Sequence, residues 1–175
     1  TARMNSEPTI LTLPQYEAAT GRLVDRGLRL DPFLNATPNH DRSRLEVSTV
    51  HGACLWIPTA LWNALGGFPE WFHMLAEDLY LCCAARVRGT KIMVAAGSGY
   101  RHHIGYSLGG GKTQGNRLVT TTRRRALSER NKTFVMVICY PGASMWILFS
   151  LHLLLLLIEG LVLSVMRPKQ RVLQD

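Results

Sequence analysis

Four cysteines in 175 residues are too few for a disulfide scaffold, and none of Cys54, Cys82, Cys83 and Cys139 is spaced as C-x-x-C. Adjacent Cys82 and Cys83 are poorly suited to an ordinary structural disulfide, so reduced thiols of a cytosolic compartment are expected. The two N-x-T sequons, at Asn35 and Asn131, carry no meaning on a cytosolic face. No Cys or second ligand-spaced His accompanies His102-His103, which excludes a zinc pattern. The chain also lacks any D-x-D or adjacent Asp pair, any internal repeat and an initiator Met. With no charged leader and cleavage site, Thr1 reads as an internal start and the chain as a fragment. A composition 47% hydrophobic and 18% charged excludes disordered, collagen-like and low-complexity classes. The length suffices for one domain with a core.

Charge is missing most completely from Thr133 to Met166, where Glu159 is the single formal charge. Just before that stretch, seven Lys and Arg residues between Lys112 and Lys132 stand against Glu129 alone, so most of the net charge of +8 is a collar beside apolar sequence. Such a collar suits anionic headgroups. Ala143 to Met166 would make a helix of about 36 Å, enough for a hydrocarbon core of about 30 Å. His152 and Glu159 share one helical face, and Arg167, Lys169 and Arg171 follow. Basic residues at both ends leave a re-entrant or in-plane helix pair broken at Pro141-Gly142, a single span, or a buried core helix all open. The expected division is 1–132 as a folded domain, 133–166 as a hydrophobic membrane-associated helical segment and 167–175 as a basic tail.

Within the first part, residues 1–50 read as loop with short strands such as the one holding Ile10 to Leu13, because Pro8, Pro14, Pro32 and Pro38 break longer elements. Leu45 to Ile57 is β-branched and apolar, suiting a buried strand interrupted at Gly52. Pro58 to Leu65 predicts a short helix ended by Gly66-Gly67. A second helix is expected over Ala76–Val87 from the spacing of Leu79, Cys82, Cys83 and Arg86, with Glu77 and Asp78 in its first turn. Lys91 to Ala96 is the next strand, followed by a Gly-rich loop from Gly105 to Gly115. Strand, helix, strand with polar groups at element ends implies an α/β layer fold.

The run Gly66 to Gly89 carries GGF, Glu70, the pair Glu77-Asp78 and a closing glycine. Gly52-Ala53 precedes it; His102, Gly105 and Ser107 follow, then Arg130-Asn131 and Tyr140-Pro141 before the Leu-rich run. In this order and spacing the chain resembles family 2 glycosyltransferases, rhamnosyltransferase-like members in particular, over about Gly21 to Met166. The resemblance implies the C-terminal half of a GT-A-type α/β fold, a mixed sheet with flanking helices. It also implies sugar transfer from a nucleotide-diphosphate donor to a glycan or polyprenyl-linked acceptor, with inversion, at the cytoplasmic face of the cell membrane. Such transfer needs a base for the acceptor hydroxyl. Asp78 is implied as that base, Glu77 as its orienting partner, and Gly52, Ala53, Phe68 and Trp71 as the acceptor side of the cleft. The diphosphate calls for cationic neutralisation, which falls to His102, or His103 if the register slips, and to Lys112. A divalent ion, Mg²⁺ or Mn²⁺, is expected, with His102 a candidate ligand and its main acidic motif upstream of this chain.

The sequence departs from the family pattern at Pro69, Tyr80 and Ala84, which bear on acceptor contacts. Gly105 lies one residue too far from Gly111-Lys112-Thr113 for a phosphate-binding P-loop. Arg123 to Arg125 lack interleaved aromatics and abut an apolar segment, so membrane lipids along 112–171 are the expected partner and nucleic acid is not. Gln114 and Arg117 approach the Q-x-x-R-W of processive polysaccharide synthases with Leu118 in place of Trp, which makes that branch the alternative. A catalytically incomplete membrane-anchored binding module is the alternative of another class.

Overall fold

The computed structural model describes residues 8–103, 112–114, 117–119 and 121–166. It is a mixed α/β structure with small sheets and, among the described residues, four α-helices, the last of them apolar. The chain divides into two compact units, 1–139 and 140–175.

In the first unit, β1 (Thr9–Thr12) runs parallel to β6 (Lys91–Val94), with Ile10 opposite Ile92 and Thr12 opposite Val94. All four are buried while their neighbours are not, as a period of two requires. After Pro14, β2 (Gln15–Glu17) lies between antiparallel β3 (Leu23–Asp25) and parallel β7 (Tyr100–His102). The two parallel pairs therefore use one continuous pair of chain segments, bent at Pro14 and at Gly97 to Gly99. Gly99 is required there: a Cβ would lie 2.0 Å from the Pro14 carbonyl oxygen and 2.5 Å from the Tyr16 ring. Two hairpins, β4 (Leu28–Leu30) with β5 (Ala36–Pro38) and β8 (Lys112–Gln114) with β9 (Arg117–Val119), complete the strands.

The buried strand expected over Leu45–Ile57 is not formed. The segment makes isolated bridges to three partners in turn, Glu46 to Met93, Thr49 to Leu28 and Trp56 to Leu11. A turn closed by the Cys54 amide on the His51 carbonyl breaks it at Gly52. Val47, Thr49 and Val50 are buried because the segment crosses from one sheet to the next, not because it belongs to one.

Parallel β1 and β6 need a helical crossover, which contains α1 (Thr59–Leu65) and α2 (Glu77–Val87). Pro58 opens α1, and Gly66 closes it in the left-handed region at φ 79°. Leu81, Cys82 and Ala85 of α2 join Ile10, Ile92 and Val94 in the core. On its other side α2 packs against α3 (Thr122–Cys139). Covered from two sides, α2 buries Leu79, Leu81, Cys82, Cys83 and Ala85, a wider stripe than its spacing alone suggests. Burial pushes the Cys82 and Cys139 thiols up to about 11 and that of Cys83 to about 12, which makes them poor nucleophiles.

The unit boundary falls at Cys139 and Tyr140, after the compositional boundary at 132. Val135, Met136 and Cys139 of the uncharged stretch are buried in the first unit, so its opening residues are core. The second unit is α4 (Gly142–Met166), whose segment Gly142–Val162 has mean hydropathy 2.2 and is long and apolar enough to cross a membrane. Most of the Gly-rich loop, with Gly105 and Ser107, and the tail with Arg167, Lys169 and Arg171 lie outside the described residues.

Candidate active site

The site is built around the start of α2. Its approach is strained: His73 (φ 62°), Leu75 (φ 72°) and Ala76 (φ 62°) all take positive φ without being glycine. Asn131 of α3 holds this loop. Fully buried, its Nδ2 lies 3.1 Å from the Phe72 carbonyl, 3.0 Å from that of Met74 and 2.7 Å from that of Leu75. Arg130 adds a donor to Phe72 at 3.2 Å. The Arg130-Asn131 pair picked out in the sequence is thus the clamp that sets the entry into α2.

Asp78, in the first turn, accepts the Gly52 amide at Oδ2 (2.9 Å) and the Leu79 amide at Oδ1 (2.7 Å). Both oxygens are oriented by backbone donors, and a carboxylate retains lone pairs for a further proton donor. A Cβ on Gly52 would stand 3.9 Å from the tip of the Phe68 ring and 3.7 Å from Asp78 Oδ2, so Gly52, Phe68 and Asp78 meet at one point. Phe68 is fixed there by an edge contact with Trp62 (5.1 Å), and Trp62 in turn sits so close to Gly67 that a Cβ would approach to 2.8 Å. Glu77 is half-buried, and its Oε2 has no hydrogen-bond partner among the described residues. Burial, with the Asp78 charge adding to it, raises the Glu77 carboxyl above its ordinary value.

Beside this point lies a pair that sequence reading missed. Asp25, 2% exposed at the end of β3, accepts the Gly27 amide (2.9 Å) and stands 3.1 Å from Nε2 of His51. Burial alone would lower the His51 value, but the hydrogen bond and charge of Asp25, with the charge of Asp78, raise it above the ordinary imidazole range. Asp25, Gln15 and Tyr100 are in register across β3, β2 and β7, and the Tyr100 hydroxyl donates to Gln15. Burial raises the Tyr100 hydroxyl strongly, with the charges of Asp25, Cys54 and Asp78 contributing. His102, two residues along β7, shares that sheet face and its ring lies 6.4 Å from that of Tyr100. In sequence, Asp25-Arg26-Gly27 is an ordinary turn former; only the adjacency of His51 to Gly52 hinted at the pair.

The remaining expected residues fall elsewhere. Ala53 is in the exposed turn after Gly52 rather than in a strand. Trp71 stacks edge-on against Phe72 (4.5 Å) and Phe134 of α3 (5.1 Å). His103 is exposed just past β7, and Lys112 opens β8 with its side chain outside the described residues. Among the described residues no group of three or more His, Cys, Asp or Glu side chains is placed to hold a metal ion, so His102 stands without companions for a cation.

Together these features define an α/β protein with an acidic helix start set against a polar sheet face. No protein-family model, no curated protein and no solved structure matches the chain.

Proposed function

We propose that the chain is the C-terminal part of a GT-A-type, inverting family 2 glycosyltransferase, rhamnosyltransferase-like, acting on a glycan or polyprenyl-linked acceptor at the cytoplasmic face of a membrane. One observation carries the reading. The GA, GGF and ED elements, separate in sequence, converge where the Gly52 amide and the Phe68 ring meet the Asp78 carboxylate. In this reading Asp78 removes the proton from the acceptor hydroxyl as its oxygen bonds to the anomeric carbon from the face opposite the leaving group. The bond from that carbon to the diphosphate oxygen breaks, and the configuration inverts.

Glu77, with its raised carboxyl value, sits next to Asp78 and limits the local negative charge by holding a proton more readily than a surface glutamate. The imidazolium of His51 is the cationic group offered to the diphosphate, and His102 offers a ring N–H from the same region. The divalent ion that the resemblance implies would be held mainly by an acidic motif upstream of this chain; among the described residues no side chains cluster as its ligands.

The test is transfer by the enzyme carrying the nucleotide-binding segment that the resemblance places upstream, offered a panel of nucleotide-diphosphate sugars and membrane acceptors. Release of nucleoside diphosphate coupled to a product of inverted anomeric configuration, read by proton NMR, is expected. A retained configuration, or no turnover with any donor, contradicts the proposal.

A further inference from the structure

One stripe of α3 changes character along its length. Arg123, Arg130, Phe134, Val137 and Ile138 follow helical spacings of seven, four, three and one and share a face. Its C-terminal end is open: Phe134 is 38% exposed, Val137 47% and Ile138 51%, and the 51% exposed ring of Trp71 extends the patch through its contact with Phe134. The Arg130 guanidinium lies 6.0 Å from the centre of the Phe134 ring, at the junction of the basic and apolar halves. Four large exposed side chains in one cluster are more than scattered surface hydrophobics.

Two features select what covers it. The stripe runs from arginine to aromatic to aliphatic, the order met on passing from anionic headgroups into acyl chains, with Trp at the boundary. Three residues separate Ile138 from the first residue of α4. A chain that short reaches about 14 Å at most, so an α4 seated in lipid tethers the stripe to the same interface.

We propose that Trp71, Phe134, Val137 and Ile138 form a docking surface for an anionic lipid bilayer. This rests on the reading of Gly142–Val162 as membrane-seated and is independent of glycosyl transfer. The full chain would be reconstituted into phosphatidylglycerol vesicles brominated near the headgroup end of the acyl chains. Tryptophan emission would be read for wild type, W71F, W146F and I138D, with far-UV circular dichroism confirming fold. W146F reports on α4, and W71F reports on the patch. Both variants are expected to lose part of the lipid-quenchable emission. I138D, at an exposed position, is expected to reproduce the W71F loss while retaining the Trp146 part. If W146F loses quenchable emission and W71F does not, the docking surface is overturned while the membrane reading of α4 stands. If neither loses any, both fall. Trp71 shielded from aqueous iodide but unquenched by lipid, with a doubled mass in detergent, assigns the patch to a second copy of the chain and also overturns the proposal.

Discussion

Two apolar helices of this chain meet opposite fates. In α2, Leu81 and Ala85 are fully buried between the strands and α3, and the polar first turn projects Glu77 and Asp78 into the site. In α4, Leu154, Leu157 and Leu161 are half or more exposed along a helix of 25 residues. The difference lies in what each can find within its own unit. The eleven residues of α2 carry an apolar face that the sheet and one helix cover, whereas α4 carries apolar side chains almost all round and, among the described residues of its unit, meets no second layer to cover them. By length and composition α4 can cross a membrane.

The sharpest way to break that contrast is to delete the same side chain from each helix. Leu81→Ala should cost about 2–5 kcal/mol in urea unfolding of the detergent-solubilised chain. Leu154→Ala should stay within about 0.5 kcal/mol in the same measurement. Equal costs would mean that α4 is a core helix after all. Leu154→Arg should disfavour bilayer insertion by about 2.5–3.5 kcal/mol, measured as vesicle flotation against salt extraction, and leave the urea midpoint of the first unit unchanged.

A smaller effect is expected where α3 clamps the entry into α2. Asn131→Ala strips a donor from three carbonyls of the positive-φ loop and should cost about 1–3 kcal/mol, with new protease cleavage between Phe72 and Glu77. Unchanged protection there would show that the positive-φ loop holds itself.

The smallest effect is a pH dependence. Because His51 is raised in the fold, its pairing with Asp25 contributes in full below the ordinary imidazole value and fades as pH rises through the raised one. The stability gap between wild type and Asp25→Asn, followed by thermal melting, should therefore be wider near about pH 6 than near about pH 9. A constant gap would remove the charge from that pair.

Much of α2 and its surroundings was legible in the sequence. Pro58, Gly66 and Gly89 punctuate the helices, and Leu79, Cys82 and Cys83 keep a helical spacing that the fold uses. The extent of α4 was equally legible, since length and hydropathy need no partner. The run Leu45–Ile57 was not, because β-branched residues look alike whether they join one sheet or bridge two. Asp25 escaped for a related reason. Its burial comes from pairing with Gln15 and from a histidine 26 residues away, neither of which leaves a local pattern. Arg130-Asn131 was visible as a motif, but its task is set by carbonyls of a loop more than fifty residues earlier.

In the proposed function Asp78, oriented by the Gly52 and Leu79 amides, is the base of a sugar transfer. Its most direct test is the turnover of Asp78→Asn in the enzyme carrying its nucleotide-binding segment, alongside donor affinity by calorimetry. The base role requires a fall in kcat of about 10²–10⁴-fold with donor binding within a few-fold of wild type. Wild-type turnover in that variant would contradict it.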